Sequence, residues 1–371
     1  MSFLKTLRLL FINILGLTFS SLIIKRRGLI IFEPLHNNGK LTGNVKYVYE
    51  GLTKDRVSFD IKVISPSDKA GLLKLIKYLS LVAKSDYIVT DQTNMLLSLG
   101  NYRIIQLWHG TGYKNIGLLE SKFEKRNFIY KFLKRSAYKK FKYIICNSQS
   151  DLERKSKSFN NNNVYLTGSP RNDLLFINEK KHSIGDLDLH AYKNVISYLP
   201  TYRPFSSSIP FSRDFLLNLN FWLEKNNSVF IIKSHPKDKV MEIPDECSNI
   251  LDCTKTIKDV QELLALTDVM ITDYSGVATD FSLLNKPIIF YMHDFDQFLK
   301  ESHTFYYDLK EILPRSICET EEKVLNMLMD LSWFNEKEYI NSFQEYQTKF
   351  NYFKDSNSTQ RVLNLIKETV K

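Results

Sequence analysis

Cysteine is scarce in this sequence of 371 residues. The four present, Cys146, Cys247, Cys253 and Cys318, stand apart with no metal-ligand spacing, which excludes a disulfide framework and fits a reducing cytosol. No carboxylate cluster stands out as a metal site, so neither a metal nor any other obligatory cofactor is expected. Internal repeats and low-complexity tracts are missing beyond the Asn160–Asn163 turn. No recognisable nucleic-acid-binding motif occurs, which argues against nucleic acid as a partner. The uncharged run at the N-terminus, Leu9 to Ile24, is short for a bilayer span, which takes roughly 20 apolar residues. A secretory signal would want a small-residue cleavage site, and only Ser20-Ser21 faintly resembles one.

What is present is the composition of a folded protein, 43% hydrophobic and 25% charged. The chain exceeds what one core usually serves, so two domains are expected. The net charge of +10 is uneven: Lys114 to Lys157 holds thirteen Lys or Arg against four Asp or Glu. Such a patch attracts anionic lipid, nucleic acid or a phosphorylated substrate. Lys5 and Arg8 precede the uncharged run and Lys25-Arg26-Arg27 follow it, the flanking of a helix that lies in a membrane interface. A short span, a buried helix and a signal are the alternatives. Written as one helix, Lys122 to Lys142 places Phe128, Ile129, Phe132, Leu133, Ala137 and Phe141 on a stripe. Lys134, Arg135, Lys139 and Lys140 then fall on the remaining surface, as candidates for an anionic membrane contact.

Nine short apolar runs recur: "GLIIF" (28–32), "DYIVT" (86–90), "RIIQL" (103–107), "KYIIC" (142–146), "NVYLT" (163–167), "NVISYL" (194–199), "SVFIIK" (228–233), "DVMIT" (268–272) and "KPIIFY" (286–291). Continuous rather than alternating apolar character indicates strands buried on both faces, as in parallel sheets covered by helices. Asp151 to Phe159 and Asp259 to Thr267 read as connecting helices. The expected class is α/β, doubly wound. A polar stretch between Leu175 and Lys193 separates two strand sets. The expected division is a membrane-associating segment at 1–27, one Rossmann-like domain at 28–185, and a second with a helical tail at 186–371.

Ligands of open α/β sheets bind beyond the carboxyl ends of the strands. Five of the nine runs end there in His, Arg, Ser or Asp beside Gly or Pro: Trp108-His109-Gly110-Thr111, Gly168 to Asp173 with Arg171, Pro200 to Arg203, Ser234-His235-Pro236, and Asp273-Tyr274-Ser275-Gly276. Together they suggest a cleft built for an anion. Each has a bland alternative. His109 could be a satisfied structural histidine, and Arg171 could pair with Asp173. Ser275-Gly276 could simply cap the following helix, although a capping turn also offers N–H groups to phosphate. Asp280, about one turn on, could reach ribose hydroxyls or answer the helix dipole.

In order along the chain, "WHGT" followed by Lys114, "TGSPRND", "LPTYR", "KSHP" and "ITDYSGVATDFSLLNKPIIFYMHD" resemble the CDP-glycerol glycerophosphotransferases of teichoic-acid and capsule synthesis, over roughly Gly28 to Asp308. The resemblance implies a GT-B fold, two Rossmann-type domains facing across a cleft. It also implies peripheral attachment to the cytoplasmic face of the membrane, and transfer of glycerol phosphate from CDP-glycerol to a lipid-linked or polymeric acceptor with release of CMP. In that chemistry His109 is the candidate base, since a base near neutrality supplies about 10²–10⁴-fold. Gly110, Thr111 and Lys114 lie on the acceptor side. His235, the second catalytic candidate, would with Arg171 and Arg203 hold or neutralise the pyrophosphate and the departing CMP, and Asp273, Ser275, Gly276 and Asp280 would serve the rest of the donor. Three departures from the family pattern stand out. Gly112-Tyr113 follows "WHGT" where proline is usual, and Gly276 replaces a second serine. An Arg-Gly pair is also missing near His303-Thr304. The alternatives are a CDP-ribitol ribitolphosphotransferase, a GT-B nucleotide-sugar glycosyltransferase, or a basic binding protein without catalysis.

Overall fold

The computed structural model describes residues 3–34, 41–55, 59–177, 183–184, 187–205, 210–235, 238, 242–302 and 304–370. Pro236, His303 and parts of the polar stretch after Leu175 lie outside the described residues. The described chain divides by packing into two units, Met1–Gly110 with Asn115–Asp173 and Asp355–Lys371, and Thr111–Lys114 with Leu174–Lys354.

In the first unit α1 (Phe3–Leu22) leads into β1 (Arg26–Glu33), α2 (Gly43–Lys54), β2 (Asp60–Val63), α3 (Leu72–Lys84), β3 (Ser85–Thr90) and β4 (Ile104–Gln106). Then come α4 (Ser121–Glu124), α5 (Phe128–Tyr138), β5 (Phe141–Cys146), α6 (Gln149–Phe159) and β6 (Val164–Leu166). The sheet order is β2-β1-β3-β4-β5-β6, and every pairing is parallel, with Ile31 of β1 opposite Ile88 of β3. Ile30, Ile31 and Phe32 are fully buried, as apolar strands covered on both faces must be. One face packs against α1, α3, α5 and α6, the other against α2 and the last helix of the chain.

The second unit adds a small hairpin of β7 (Ser183–Ile184) and β8 (Leu187–Asp188), then β9 (Asn194–Leu199), α7 (Arg213–Lys225), β10 (Ser228–Ile232), β11 (Ile250–Asp252), α8 (Val260–Leu266), β12 (Val269–Thr272) and α9 (Val277–Phe281). It continues through β13 (Ile288–Tyr291), α10 (Phe295–Glu301), α11 (Leu309–Ile312), β14 (Ile317–Cys318), α12 (Glu321–Met329) and α13 (Lys337–Phe350). Its sheet is also parallel throughout, in the order β11-β10-β9-β12-β13-β14. Numbered within the unit this is 3-2-1-4-5-6, the doubly wound order whose direction reverses between β9 and β12.

Three expectations are corrected. The division falls after Asp173, not at 185, and α14 (Ser358–Val370) joins the first unit. There Val362, Leu363 and Ile366 are buried with Val45, Val48 and Leu52 of α2. The segment 122–142 is not one helix. The Asn127 side chain accepts from the Tyr130 N–H and starts α5 afresh, and Phe141 and Lys142 belong to β5. The N-terminal segment is not a separate appendage. Thr6, Asn13, Gly16 and Ser20 of α1 are buried against the unit; the Asn13 side chain donates through its nitrogen to Met95 O at 2.9 Å and accepts at its oxygen from the Ser98 N–H at 2.8 Å. The polar and small residues point inward, so Phe3, Leu4, Leu7, Phe11, Ile14 and Leu17 face outward, Phe11 at 61% exposure.

Candidate functional site

In the first unit the expected site grows from the end of β4. Trp108 stands in the left-handed region, φ 48°, a strained place for a bulky residue. Asn44 of α2 holds it there, donating to the carbonyls of Leu107 and Trp108, each at 3.0 Å. The Asn44 oxygen accepts from the Arg171 N–H at 3.1 Å, and the Arg171 guanidinium donates to His109 O at 2.8 Å. Gly110 has φ 149°, and a Cβ there would meet the Arg171 guanidinium at 2.8 Å. His109 stacks on Trp108 with centroids 4.5 Å apart. Its Nδ1 lies 3.1 Å from the carbonyl of Asp91, just beyond β3. A carbonyl can only accept, so Nδ1 carries the proton and the neutral ring holds its lone pair on Nε2. Asp173 does not pair with Arg171; it accepts from the N–H groups of Ser358 and Thr359 and starts α14.

In the second unit the site gathers where the sheet order reverses. Asp273, after β12, is 1% exposed and accepts twice from the Thr201 N–H, at 2.9 and 3.1 Å, just beyond β9. Arg203 reaches Asp273 at 2.7 Å and grips Asp294 with two nitrogens, at 2.5 and 2.9 Å. Tyr274 OH donates to the same Asp294 at 3.0 Å. Burial opposes the charge of Arg203, but Asp273 and the bond to Asp294 hold it protonated. Burial would raise Asp294, yet the Arg203 hydrogen bond and charge keep it below the usual carboxylate range. Arg203 is thus held between two carboxylates, Asp273 and Asp294. Lys114, from the "WHGT" neighbourhood, belongs to this unit and lies 5.2 Å over the Phe298 ring. Burial lowers it to about 8, with Asp273 pulling the other way and Arg203 adding to the fall. Burial likewise lowers His293, beside Asp294.

The remaining expected residues divide. Ser275 is half-buried, its hydroxyl 3.4 Å from the Val277 N–H. Gly276 lies against Thr111 and Gly112: a Cβ on it would meet Thr111 O at 2.1 Å. The Thr279 hydroxyl also donates to that carbonyl, at 3.2 Å. His235 is half-buried, its ring 4.9 Å from that of Tyr202 and its N–H donating to Asp238. Asp280 is fully buried on the core side of α9, with Gln261 donating to it at 3.4 Å. Of its two expected roles, a ribose contact and an answer to the helix dipole, the buried position favours the one within the fold. Lys134 is also buried, paired with Glu120 at 3.2 Å, and so leaves the expected membrane set; Arg135 and Lys139 are exposed and Lys140 half-buried. Among the described residues no group of three or more His, Cys, Asp or Glu could hold a metal. Asn44, Asp91 and Asp294 were missed. Asp294 stood inside the quoted "FYMHD", but its partner is 91 residues away.

The sequence model of the CDP-glycerol:poly(glycerophosphate) glycerophosphotransferase family matches residues 17–368. Teichoic acid ribitol-phosphate polymerase TarK of Staphylococcus aureus is 27% identical, over 92% of this chain and 68% of its own. Teichoic acid glycerol-phosphate primase of Bacillus subtilis is 28% identical, over 80% of this chain and 77% of its own. The chain spans only 54% of the teichoic acid poly(ribitol-phosphate) polymerase of Bacillus spizizenii, at 28% identity. A structure of the wall teichoic acid polymerase TagF superposes with TM-score 0.75 at 20% identity, covering 99% of this chain and 95% of that one.

Proposed function

Because the chain belongs to the CDP-glycerol:poly(glycerophosphate) glycerophosphotransferase family, we propose that it transfers glycerol phosphate from CDP-glycerol to a hydroxyl of a lipid-linked or polymeric acceptor, in teichoic-acid or capsule-like polymer synthesis. The acceptor hydroxyl attacks the phosphorus that bears glycerol, the bond to the CMP oxygen breaks, and CMP leaves with that electron pair. The hydroxyl proton passes to Nε2 of His109. The observation that carries this role is the Nδ1 contact with Asp91 O, which supports the basic tautomer at Nε2. Phosphoryl transfer otherwise needs positioning and charge neutralisation. Lys114 supplies charge in the second unit, and Arg203 with its two carboxylates positions the loop around it. His235, Ser275 and the backbone at Gly276 are assigned to donor phosphates, and Arg171 to the carriage of His109. Thr111 belongs with the donor-side helix rather than with the acceptor. We read the two parallel-sheet units as GT-B halves, the first handling the acceptor and the second the donor. No cofactor is assigned.

We place the enzyme at the cytoplasmic face of the membrane, attached peripherally. The outward apolar face of α1 supports this, joined by the exposed Leu72 and Leu73 of α3 and Phe128 of α5, helices that pack on α1. A second donor, CDP-ribitol, is favoured by one specific observation: three relatives at 25–28% identity are named ribitol-phosphate polymerases.

The test is CMP release and product mass with CDP-glycerol, CDP-ribitol and a UDP-sugar, on lipid-linked acceptors. Release from a CDP-alditol is expected, and His109→Ala lowers it at least about 10²-fold with donor affinity kept. Turnover only with the UDP-sugar overturns the reading, and near-parental turnover in His109→Ala returns that residue to a structural role.

A further inference from the structure

The first unit contains a cavity of about 550 Å³ that the transfer chemistry does not use. Lys5, Arg8 and Ile12 of α1 line it, with Glu33, Lys69 and Asn94. Its position in the sheet is informative. The order β2-β1-β3 reverses direction between β1 and β3, and open α/β sheets bind ligands beyond the carboxyl ends at such a reversal. Glu33 ends β1, and the loop holding Asn94 follows β3. The volume lies within the range of small-molecule sites, about 300–1,000 Å³.

Its electrostatics point to an anion. Glu33 is 1% exposed and its charge is already answered: Lys69 pairs with it, the Asn94 amide donates at 2.7 Å and Tyr78 OH at 3.3 Å. Lys5 and Arg8 add two more cations, and among the described residues neither makes an ion pair. The lining is thus three cations to one carboxylate. Helix geometry sets what surrounds them. At about 100° per residue, Lys5, Arg8 and Ile12 form a strip between the inward face of Thr6, Asn13, Gly16 and Ser20 and the outward face of Leu4, Leu7 and Phe11. Arg8 borders the outward apolar face directly. A ligand would meet charge inside the cavity and hydrocarbon at its rim.

We propose that this cavity binds the phosphate headgroup of a membrane lipid, a phosphomonoester or diphosphate on an apolar chain that runs along the outward face of α1. The proposal rests on the membrane-attachment reading above. Lys5 and Arg8 make charge-assisted hydrogen bonds to the phosphate oxygens, and Lys69 stays with Glu33. The headgroup lies at the same end of the parallel sheet as His109, since β1, β3 and β4 all run the same way.

The experiment is vesicle binding by the full-length protein without donor. It compares phosphatidylcholine vesicles carrying phosphatidic acid with ones carrying phosphatidylglycerol at matched surface charge, and uses soluble inorganic pyrophosphate as competitor. Phosphatidic acid vesicles should bind about tenfold tighter, since only the monoester offers a doubly charged terminal phosphate to the two cations. The preference should vanish in the Lys5→Gln/Arg8→Gln double variant and return with Lys5→Arg/Arg8→Lys. Lys139→Gln with Lys140→Gln removes as much charge elsewhere and should weaken both vesicle types alike, keeping the preference. Unchanged thermal unfolding of each variant separates loss of binding from loss of fold. Equal binding to both vesicle types, or a preference that survives in the double variant, overturns the proposal. Pyrophosphate that displaces the protein at vesicle-like affinity overturns the lipid as ligand in favour of free phosphate. Failure to bind any vesicle overturns the membrane reading itself, a different result from binding without discrimination.

Discussion

Lys114 is a buried cation, and the anion-binding role proposed for it comes at the expense of the fold. Burial brings it to about 8, so near neutrality it is mostly charged but poorly solvated. An unfolded lysine titrates near 10.5; between about 8 and 10.5 the unfolded chain holds a proton that the folded chain has lost, and stability rises with pH across that window. Anion binding follows the opposite course, because the charge disappears. Lys114→Met should therefore weaken CDP-glycerol binding and flatten the stability gain between about pH 7.5 and about pH 9.5 in urea titrations. An equal gain in parent and variant assigns the titration to another group. The paired glycines make a second case. A Cβ on Gly276 would meet Thr111 O at 2.1 Å, and one on Gly112 would touch Gly276 Cα at 3.4 Å. Two of the departures from the family pattern are thus neighbours. Proline at 112 would confine Thr111 to extended backbone, and so govern the carbonyl that a side chain at 276 must avoid. Gly276→Ser alone should cost about 1–3 kcal/mol. The double change with Gly112→Pro should cost less than the sum, with a coupling of at least about 0.5 kcal/mol by thermal unfolding. Strict additivity would mean that the two positions act separately. Gly, His and Asp at strand ends were legible because turns and ligands select them. The contact that orients the His109 ring was not, since it is a backbone carbonyl, and neither was Asn44, which holds the neighbouring Trp108 from 64 positions earlier.

All nine continuous apolar runs are strands, and the strands of the two large sheets that escaped notice share one property. β2, β11 and β14 are sheet edges of two to four residues, and β2 exposes Lys62 and Val63. An edge strand is buried on fewer sides, so its sequence need not be apolar throughout. The N-terminal helix carries the opposite lesson. Its hydropathy was plain, but composition does not say which face packs, and here hydrogen bonding decided. The Asn13 oxygen accepts from the Ser98 and Leu99 N–H groups while its amide donates to Leu9 O and Met95 O. Asn13→Leu makes α1 more apolar yet strands buried donors, each costing about 1–3 kcal/mol. The variant should lose α1 docking, seen as faster tryptic cleavage at Lys25 and Arg26 and a lower urea midpoint. A variant as resistant as the parent would show that apolar packing of Ile12, Leu15 and Phe19 suffices.

At the scale of the whole chain, the first unit is closed by residues that the sequence order assigns to the other end. An amphipathic helix announces that it will bury a face, and its sequence does not name the partner; hence α14 was expected in the second domain. The structure sets Val362, Leu363 and Ile366 against α2, with Gly51 leaving room where a Cβ would stand 2.9 Å from Leu363. Asp173, the last residue of the first unit before the crossing, caps α14 through two N–H bonds of 2.9 and 2.8 Å. Burying three such side chains is worth about 4–9 kcal/mol as an upper figure, comparable with the 5–15 kcal/mol stability of a whole domain. A chain ending at Lys354 should therefore lose the first unit, although every deleted residue follows the second. Hydrogen exchange should show β1, β3 and β5 unprotected while β9, β10 and β12 stay protected. A peptide of residues 355–371 added in trans should restore protection in a concentration-dependent way. Equal protection of both sheets in the shortened chain would mean that α14 decorates the first unit without closing it.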